Sequence, residues 1–203
     1  MSEQVSVIGG GSVGSALARG LAAQDRAVRV GVRAPDDTKY ADLRAVVPVV
    51  PIDEVAVGAA AVILAVPAAA VGAVLGGLRL DTGQVLIDAT NAVGQPVPEG
   101  FETMGDYVCS LVGDVPVAKA FNTIGAEHLG DGRFEEGGAF LPVAGDEAAR
   151  AVAIELADSL GFETADLGGR EAFAMSEAHA RLWIHLAFRC GWGREFGFQV
   201  VGR

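Results

Sequence analysis

Cysteine, basic charge and aromatic residues are all scarce in this sequence. Two cysteines among 203 residues, Cys109 and Cys190, make no disulfide framework, no CxxC and no zinc spacing. They read as buried thiols in a reducing compartment. Lys and Arg together number 15 against 26 Asp and Glu, a net charge of −11. A surface that acidic repels phosphate backbones and anionic lipid heads, and no Lys/Arg run interrupts it, so neither nucleic acid nor a membrane surface is an expected partner. With no basic region or cleavage site ahead of Val5-Ser6-Val7-Ile8, no signal peptide is expected. The stretch from Val55 to Leu78 has no charged residue and is long enough to span a bilayer. It is mostly Ala and Gly, however, with Pro67 near its middle. A buried strand followed by a helix explains it better, because parallel strands covered on both faces read as apolar runs. The expectation is a soluble cytoplasmic protein.

What is present is apolar: 51% of residues are hydrophobic and only 20% charged, the reverse of a disordered composition. Short runs rich in Val and Ile alternate with Ala-rich helical stretches, the rhythm of parallel βαβ units. Strands are predicted at Val5–Ile8, Ala27–Val32, Val46–Val50, Val62–Val66, Val85–Asp88 and Val115–Ala120, with two more at Ala139–Val143 and Glu163–Asp166. Helices are predicted at Ser12–Ala23, Ala68–Leu75, Glu102–Leu111, Glu147–Leu160 and Glu171–Cys190. Asp146 is suited to cap the helix from Glu147 and Gly161 to end it. Loops fall around Gln95–Gly100 and Gly130–Gly138. The fold class expected is a Rossmann-type, doubly wound α/β unit with a mostly parallel sheet. Residues 1–203 make one unit, and a short helical extension from about residue 145 packs on it.

The sharpest motif is Val5-Ser6-Val7-Ile8-Gly9-Gly10-Gly11-Ser12-Val13-Gly14. Gly9, Gly11 and Gly14 form a GxGxxG between a strand and a helix. Gly9 suits a tight turn, Gly11 lets the backbone approach a pyrophosphate, and Gly14 allows close helix–sheet packing. The pyrophosphate would sit on the free N–H groups of the helix starting near Ser12. A glycine-rich match alone is weak; its place between strand and helix makes it a dinucleotide site. The next strand ends Val30-Gly31-Val32-Arg33, where an NAD site usually carries Asp or Glu. Arginine there suits a 2′-phosphate, with Lys39 available to assist, so NADP(H) is expected over NAD(H). A solvated loop arginine is the alternative.

Ligands in such sheets bind outside the carboxyl ends of the strands. Those ends carry Val66-Pro67, Asp88-Ala89-Thr90-Asn91 and Phe121-Asn122-Thr123. Asn91, Asn122 and Thr123 are candidates for the carboxamide or ribose of the nicotinamide half, against a reading as loop caps. Asp88 fits a turn cap better than a base, and Lys119 a structural role. Acids and bases are otherwise sparse. His128 is expected to be solvated in a loop. Glu177, Arg181, His185 and Arg189 recur every four residues on the last helix, a polar stripe read as a surface or subunit-facing one with internal ion pairs, against a role for His185 over the substrate.

In this order, Gly9–Gly14, Val30–Arg33, Ala65-Val66-Pro67 and Lys119-Ala120-Phe121-Asn122-Thr123-Ile124 resemble the NADPH-dependent F420 reductases. They also resemble the reductase domain of six-transmembrane metalloreductases. The likeness extends through Arg181–Leu186. It implies that Gly10, Gly11, Ser12 and Val13 bind the pyrophosphate and Arg33 the 2′-phosphate, and that Gly125 and Ala126 approach the nicotinamide. Three positions depart from the F420 reductase pattern. Val32 stands where Ser is common, Asn122 where His is, and Gly125 where Pro is; the metalloreductase-like domains do have Asn in Phe-Asn-Thr.

The expected activity is hydride transfer between NADPH and coenzyme F420 or a flavin, which needs no protein acid because the ring delocalises the arriving charge. Reduction of a carbonyl or imine would want a positioned acid, and none stands out. The long helical second domain that β-hydroxyacid dehydrogenases append is not expected. A reductase of a small carbonyl, imine or ferric chelate, or a non-catalytic NADP(H) sensor, are the alternatives. No metal site is expected. The apolar last helix, with Trp183, Ile184, Leu186 and Phe188 spread around it, points to a homodimer.

Overall fold

Val5–Ile8 forms the first strand, β1, with all four residues buried, in a computed structural model that describes residues 4–202. An apolar run without alternation must be covered on both faces. Val5 and Val7 enter one core while Ile8 enters the other, as the two-residue period of a strand requires. The remaining elements are α1 (Ser12–Ala23), β2 (Val28–Val32), α2 (Ala41–Arg44), β3 (Val49–Pro51), β4 (Ala61–Leu64), α3 (Val71–Gly76), β5 (Val85–Asp88), α4 (Met104–Val112) and β6 (Val117–Lys119). After these come β7 (Arg133–Phe134), β8 (Gly137–Gly138), β9 (Phe140–Gly145), α5 (Glu147–Ser159), β10 (Glu163–Asp166) and α6 (Phe173–Phe188).

One sheet runs β10-β9-β6-β5-β4-β1-β2-β3, while β7 and β8 pair separately. Every neighbouring pair in it is parallel except β6 with β9. The order 3-2-1-4-5-6 inside it is the Rossmann arrangement, and its reversal beside β1 opens a crevice at the carboxyl ends of the strands. The fold is therefore the expected doubly wound α/β sheet. Its carboxyl-terminal third adds β9 and β10 to the sheet edge as well as α5 and α6.

Leu17, Leu21, Leu156 and Leu160 cover one face of the sheet from α1 and the α5 region. Val71, Leu75, Met104, Val108 and Phe173 cover the other from α3, α4 and the start of α6. Each such side chain contributes about 1.5–3 kcal/mol by leaving water. The uncharged Val55–Leu78 stretch is β4 and α3 joined through Pro67, and no helix of the described residues is long and apolar enough to cross a membrane.

Four local expectations shift. The third strand, predicted from Val46, begins at Val49, because the N–H groups of Val46 and Val47 turn back to the Leu43 carbonyl at the end of α2. Asp146 precedes α5 but does not cap it with its side chain. Its carboxylate instead accepts from the Val117 N–H at 2.8 Å and pairs with Arg170 at 2.6 Å. The last helix opens with a 3-10 turn at Arg170–Ala172 and ends at Phe188. The Gly130–Gly138 loop holds the small β7–β8 hairpin.

Candidate functional site

The chain leaves β1 through Gly9, whose φ of +110° is open to glycine and strained for other residues. A Cβ on Gly9 would also strike the Ala65 carbonyl, and one on Gly14 would strike the Gly9 carbonyl. Both glycines are thus required by the close approach of β1, β4 and α1. Gly11 differs: a Cβ there would meet nothing within 4 Å, so the space beside it is open to a ligand. Gly11 caps α1 without any side-chain hydrogen bond, and no acidic residue stands in the first turn. The first-turn N–H groups of Ser12, Val13 and Gly14 have no partners within the helix and carry its positive dipole end. Ser15, which sequence reading passed over, ties the turn by donating from its hydroxyl to the Gly10 carbonyl at 3.2 Å.

In front of this turn lies a cleft of about 360 Å³, bounded by Gly9–Gly11 on one side and by Val66, Pro67 and Val74 on another, with Arg33 at its rim. Arg33 is exposed and has no carboxylate within 4 Å among the described residues. Lys39 does not stand free beside it. Its ammonium lies 3.0 Å from Asp37 and 4.9 Å from the centre of the Tyr40 ring. The Lys39 backbone N–H and ammonium hold Asp37 below the usual carboxylate range, and Asp37 raises Lys39 in turn. Tyr40 and Asp53 also line the cleft. Neither was legible as a site residue, because Tyr40 comes from the 3-10 turn between β2 and α2 and Asp53 from the loop after β3, and the fold brings both to the cleft.

A second cluster forms where β5 and β6 end. Asn91 donates from Nδ2 to the Asn122 carbonyl at 2.6 Å, and Asn122 donates from Nδ2 to Asn91 Oδ1 at 3.3 Å. Ser176 of α6 donates to Asn122 Oδ1 at 3.0 Å, which fixes the orientation of the Asn122 amide. Thr123 is buried beside it with its hydroxyl unpartnered, and so is Thr90. Orphaned buried hydroxyls are uncommon enough to mark a place where a ligand or water completes the bonding. Phe121, buried at the turn between them, has a φ of +61°. Such a conformation costs a non-glycine residue about 1–3 kcal/mol and concentrates at functional sites.

Beneath this cluster Lys119 is buried completely. Its ammonium lies 2.8 Å from Asp88 Oδ2, 3.1 Å from Glu177 Oε1 and 2.7 Å from the Thr90 carbonyl. Asp88 also accepts from the Thr90 N–H at 2.8 Å, so it does cap the turn. Glu177 departs from the expected surface stripe. It faces inward and accepts from the Gly105 N–H, because that face of α6 packs on the sheet. Arg181, His185 and Arg189 remain exposed.

Gly125 and Ala126 are buried just beyond Thr123. A Cβ on Gly125 would meet the Trp183 ring at 3.1 Å and Glu127 at 2.7 Å. Trp183 is held in turn by the carboxyl-terminal segment, donating from Nε1 to the Phe196 carbonyl at 2.9 Å and stacking on the Phe196 ring. His128 is not solvated: it packs on Phe134, 4.8 Å between ring centres, with Nε2 3.2 Å from the Arg194 carbonyl. Among the described residues no group of three or more His, Cys, Asp or Glu side chains could hold a metal ion. The structure thus gathers Gly9, Gly10, Gly11, Arg33, Val66 and Pro67 around one cleft. Asn91, Asn122 and Thr123 stand together at the neighbouring strand ends, with Gly125 and Ala126 following.

Comparison with known proteins reaches the same part of the chain. Residues 4–92 match the family described as NADP oxidoreductase, coenzyme F420-dependent. The whole chain superposes on a provisionally assigned F420-dependent NADP reductase from Arthrobacter sp. FB24, with 25% identity, a TM-score of 0.84, and coverage of 99% of this chain and 100% of that one. A hypothetical protein from Sinorhizobium meliloti gives 29% identity and a TM-score of 0.72 over 83% of this chain and 86% of its own. A reductive aminase from Aspergillus terreus, in complex with NADPH and ethyl levulinate, shares the fold at 16% identity. Its TM-score is 0.71, over 94% of this chain and 63% of that chain. No curated protein sequence matches. The amino-terminal part is thus similar to an NADP oxidoreductase family, and the resemblance to F420-dependent NADP reductases read from the sequence holds.

Proposed function

We propose that the chain is an NADP(H)-dependent oxidoreductase that moves a hydride between the nicotinamide and a deazaflavin, such as coenzyme F420, or a flavin. The residues fit the cofactor. Gly11 leaves open space beside an uncapped α1, where the N–H groups of Ser12 and Val13 would hold the pyrophosphate. Arg33, free of carboxylates at the cleft rim, would bind the 2′-phosphate through charge-assisted hydrogen bonds. Asn91, Asn122 and Thr123 would orient the nicotinamide half, which supplies hydride when bound. The Thr123 hydroxyl has no other partner.

One observation carries the choice of acceptor. The titratable side chains at the ends of β5 and β6 are committed to one another: Asp88 and Glu177 both close on Lys119. None is left to protonate a developing alkoxide or amine. A deazaflavin or flavin ring spreads the incoming charge and takes its proton from water, so the protein has only to orient and to exclude side reactions. The homodimer and the cytoplasmic location belong to the same reading; exposed Met175 and Leu182 on α6 support the first, and two cysteines outside any disulfide support the second.

The test is NADPH oxidation by the purified protein, with coenzyme F420, FMN, FAD, a ferric chelate and a cyclic imine offered separately. Turnover with the deazaflavin or the flavins is the expected result. Turnover with the imine alone would replace this reading by an imine reductase. Tight NADPH binding with no acceptor reduced would make the chain a sensor.

A further inference from the structure

Away from the cleft and the strand-end cluster lies a groove of about 280 Å³, between the Ala92–Gly94 loop and the later turns of α6. Arg181, His185 and Arg189 stand around it, and Val93, Ile184 and Phe188 supply its apolar lining. Arg181 and Arg189 have no carboxylate within 4 Å among the described residues, a state they share with Arg19, Arg29, Arg33, Arg44 and Arg79, but they are the two that stand around one groove. In a chain of net charge −11, acids to neutralise them are plentiful. The helix dipole accounts for cations in the last turn, His185 and Arg189, but it fades within that turn and leaves Arg181 unexplained. Phe188 and Val93 are 60% and 57% exposed, so the groove offers apolar contact beside its charge.

The groove is linked to the strand-end cluster through the chain. Its loop begins at Ala92, directly after the Asn91 that bonds Asn122, and α6 is the helix whose Ser176 bonds the same Asn122. At 1.5 Å per residue, Arg181 lies about 8 Å and Arg189 about 20 Å along the axis from Ser176. We infer that this groove holds the anionic tail of the hydride acceptor, a phosphate- or carboxylate-bearing chain attached to a flavin-type ring. This rests on the deazaflavin or flavin reading of the acceptor. The guanidinium fork matches phosphate and carboxylate oxygens, and Ile184, Phe188 and Val93 would cover the carbon chain that links them to the ring.

The experiment compares acceptors with and without the tail: FMN against riboflavin, and coenzyme F420 against its tail-free deazaflavin alcohol. The purified protein, R181A/R189A and R181K/R189K are each saturated with NADP⁺ and titrated by quenching of acceptor fluorescence, then assayed with NADPH. In R181A/R189A the Kd and KM of the tailed acceptors should rise at least tenfold, while those of the tail-free ones stay within twofold. R181K/R189K should recover part of the loss. In the unaltered protein the KM for the tailed acceptors should rise with salt, and the double alanine variant should lose that dependence. Equal effects on tailed and tail-free acceptors, unchanged tailed binding, or a change only in oligomeric state would overturn the inference, the last making the groove a contact between copies. Failure of the unaltered protein to bind either tailed acceptor would overturn it too. If the tailed acceptors bind through the arginines but none is reduced, the proposed function fails and the anion site stands.

Discussion

Asn91 and Asn122 hold each other across the ends of two neighbouring strands, the first bonding the backbone of the second at 2.6 Å and the second returning a bond to the side chain of the first. With Ser176 on the remaining amide oxygen, Asn122 is a joint between β5, β6 and α6. Asn122→Ala would leave the Ser176 hydroxyl and Asn91 Oδ1 without these partners. We expect a loss of about 1–3 kcal/mol of stability, read from urea denaturation. The turnover number should fall at least tenfold with the Kd for NADPH little changed, because the turn proposed to bind the phosphates lies on other elements. A proportionate loss of NADPH affinity would contradict the division of the site into a phosphate half and a nicotinamide half.

The two halves were unequally legible in the sequence. The turn from β1 to α1 is local, with strand, glycines and helix in one unbroken run, so the roles of Gly9 and Gly14 could be assigned from spacing and then found, while Gly11 leaves open space beside it. Arg33 was legible for the same reason, as the residue that ends β2. The joint was legible only in its strand-end members. Ser176 and Glu177 are carried by α6 and meet Asn122 and Lys119 only after the whole sheet has formed. On the helix alone, Glu177 belongs to the same four-residue spacing as Arg181, His185 and Arg189, and nothing in that spacing tells which member turns inward. Packing decides it: that face of α6 covers the sheet through Phe173 and Ala180, whereas the later turns run along an open groove.

In the proposed site, Arg33 would set the preference between the two nicotinamide cofactors. Charge-assisted hydrogen bonds of this kind contribute about 1.5–3 kcal/mol. Arg33→Ala should therefore weaken NADPH binding about 10- to 100-fold and leave NADH binding within a few-fold. Asp53 lines the same cleft, and a carboxylate there opposes a 2′-phosphate. Asp53→Asn should tighten NADPH modestly and NADH not at all. Titration of both cofactors by protein fluorescence reads these changes; a ratio unaltered in the arginine variant would dispose of the assignment.

Lys119 should be the most sensitive structural position near the site. Its removal leaves Asp88 and Glu177 facing each other in a region closed to water. Breaking a buried ion pair on one side typically costs about 3–5 kcal/mol. Lys119→Met is expected to lose that much, while adding Asp88→Asn and Glu177→Gln should restore part of it, because neutral amides do not repel. Chemical denaturation of the single and triple variants decides the point. If the triple variant is no more stable than the single one, packing of the lysine stem, and not charge, is what Lys119 contributes.

Acid should act on this protein through His179. Its ring lies between Phe140 and Phe198, with centres 5.5 Å and 4.7 Å away, and its Nε2 is buried without a hydrogen-bond partner. Burial lowers its pKa below the ordinary 6.5, so the neutral ring is the one that fits the fold. The unfolded chain takes up a proton as pH falls through about 6.5, and the folded ring does not until lower pH. Stability present above that value is therefore lost progressively as pH drops toward the lowered folded pKa. Phe198 belongs to the carboxyl-terminal segment that bonds the Phe140 N–H at 2.8 Å, so this segment should loosen first. His179→Phe keeps an aromatic ring between the same neighbours and cannot titrate. The urea midpoint of the unaltered protein should fall more between pH 7.5 and pH 5.5 than that of the variant, and hydrogen exchange at Phe140 should quicken over the same range in the unaltered protein alone. Equal slopes in the two proteins would assign the acid response to other groups.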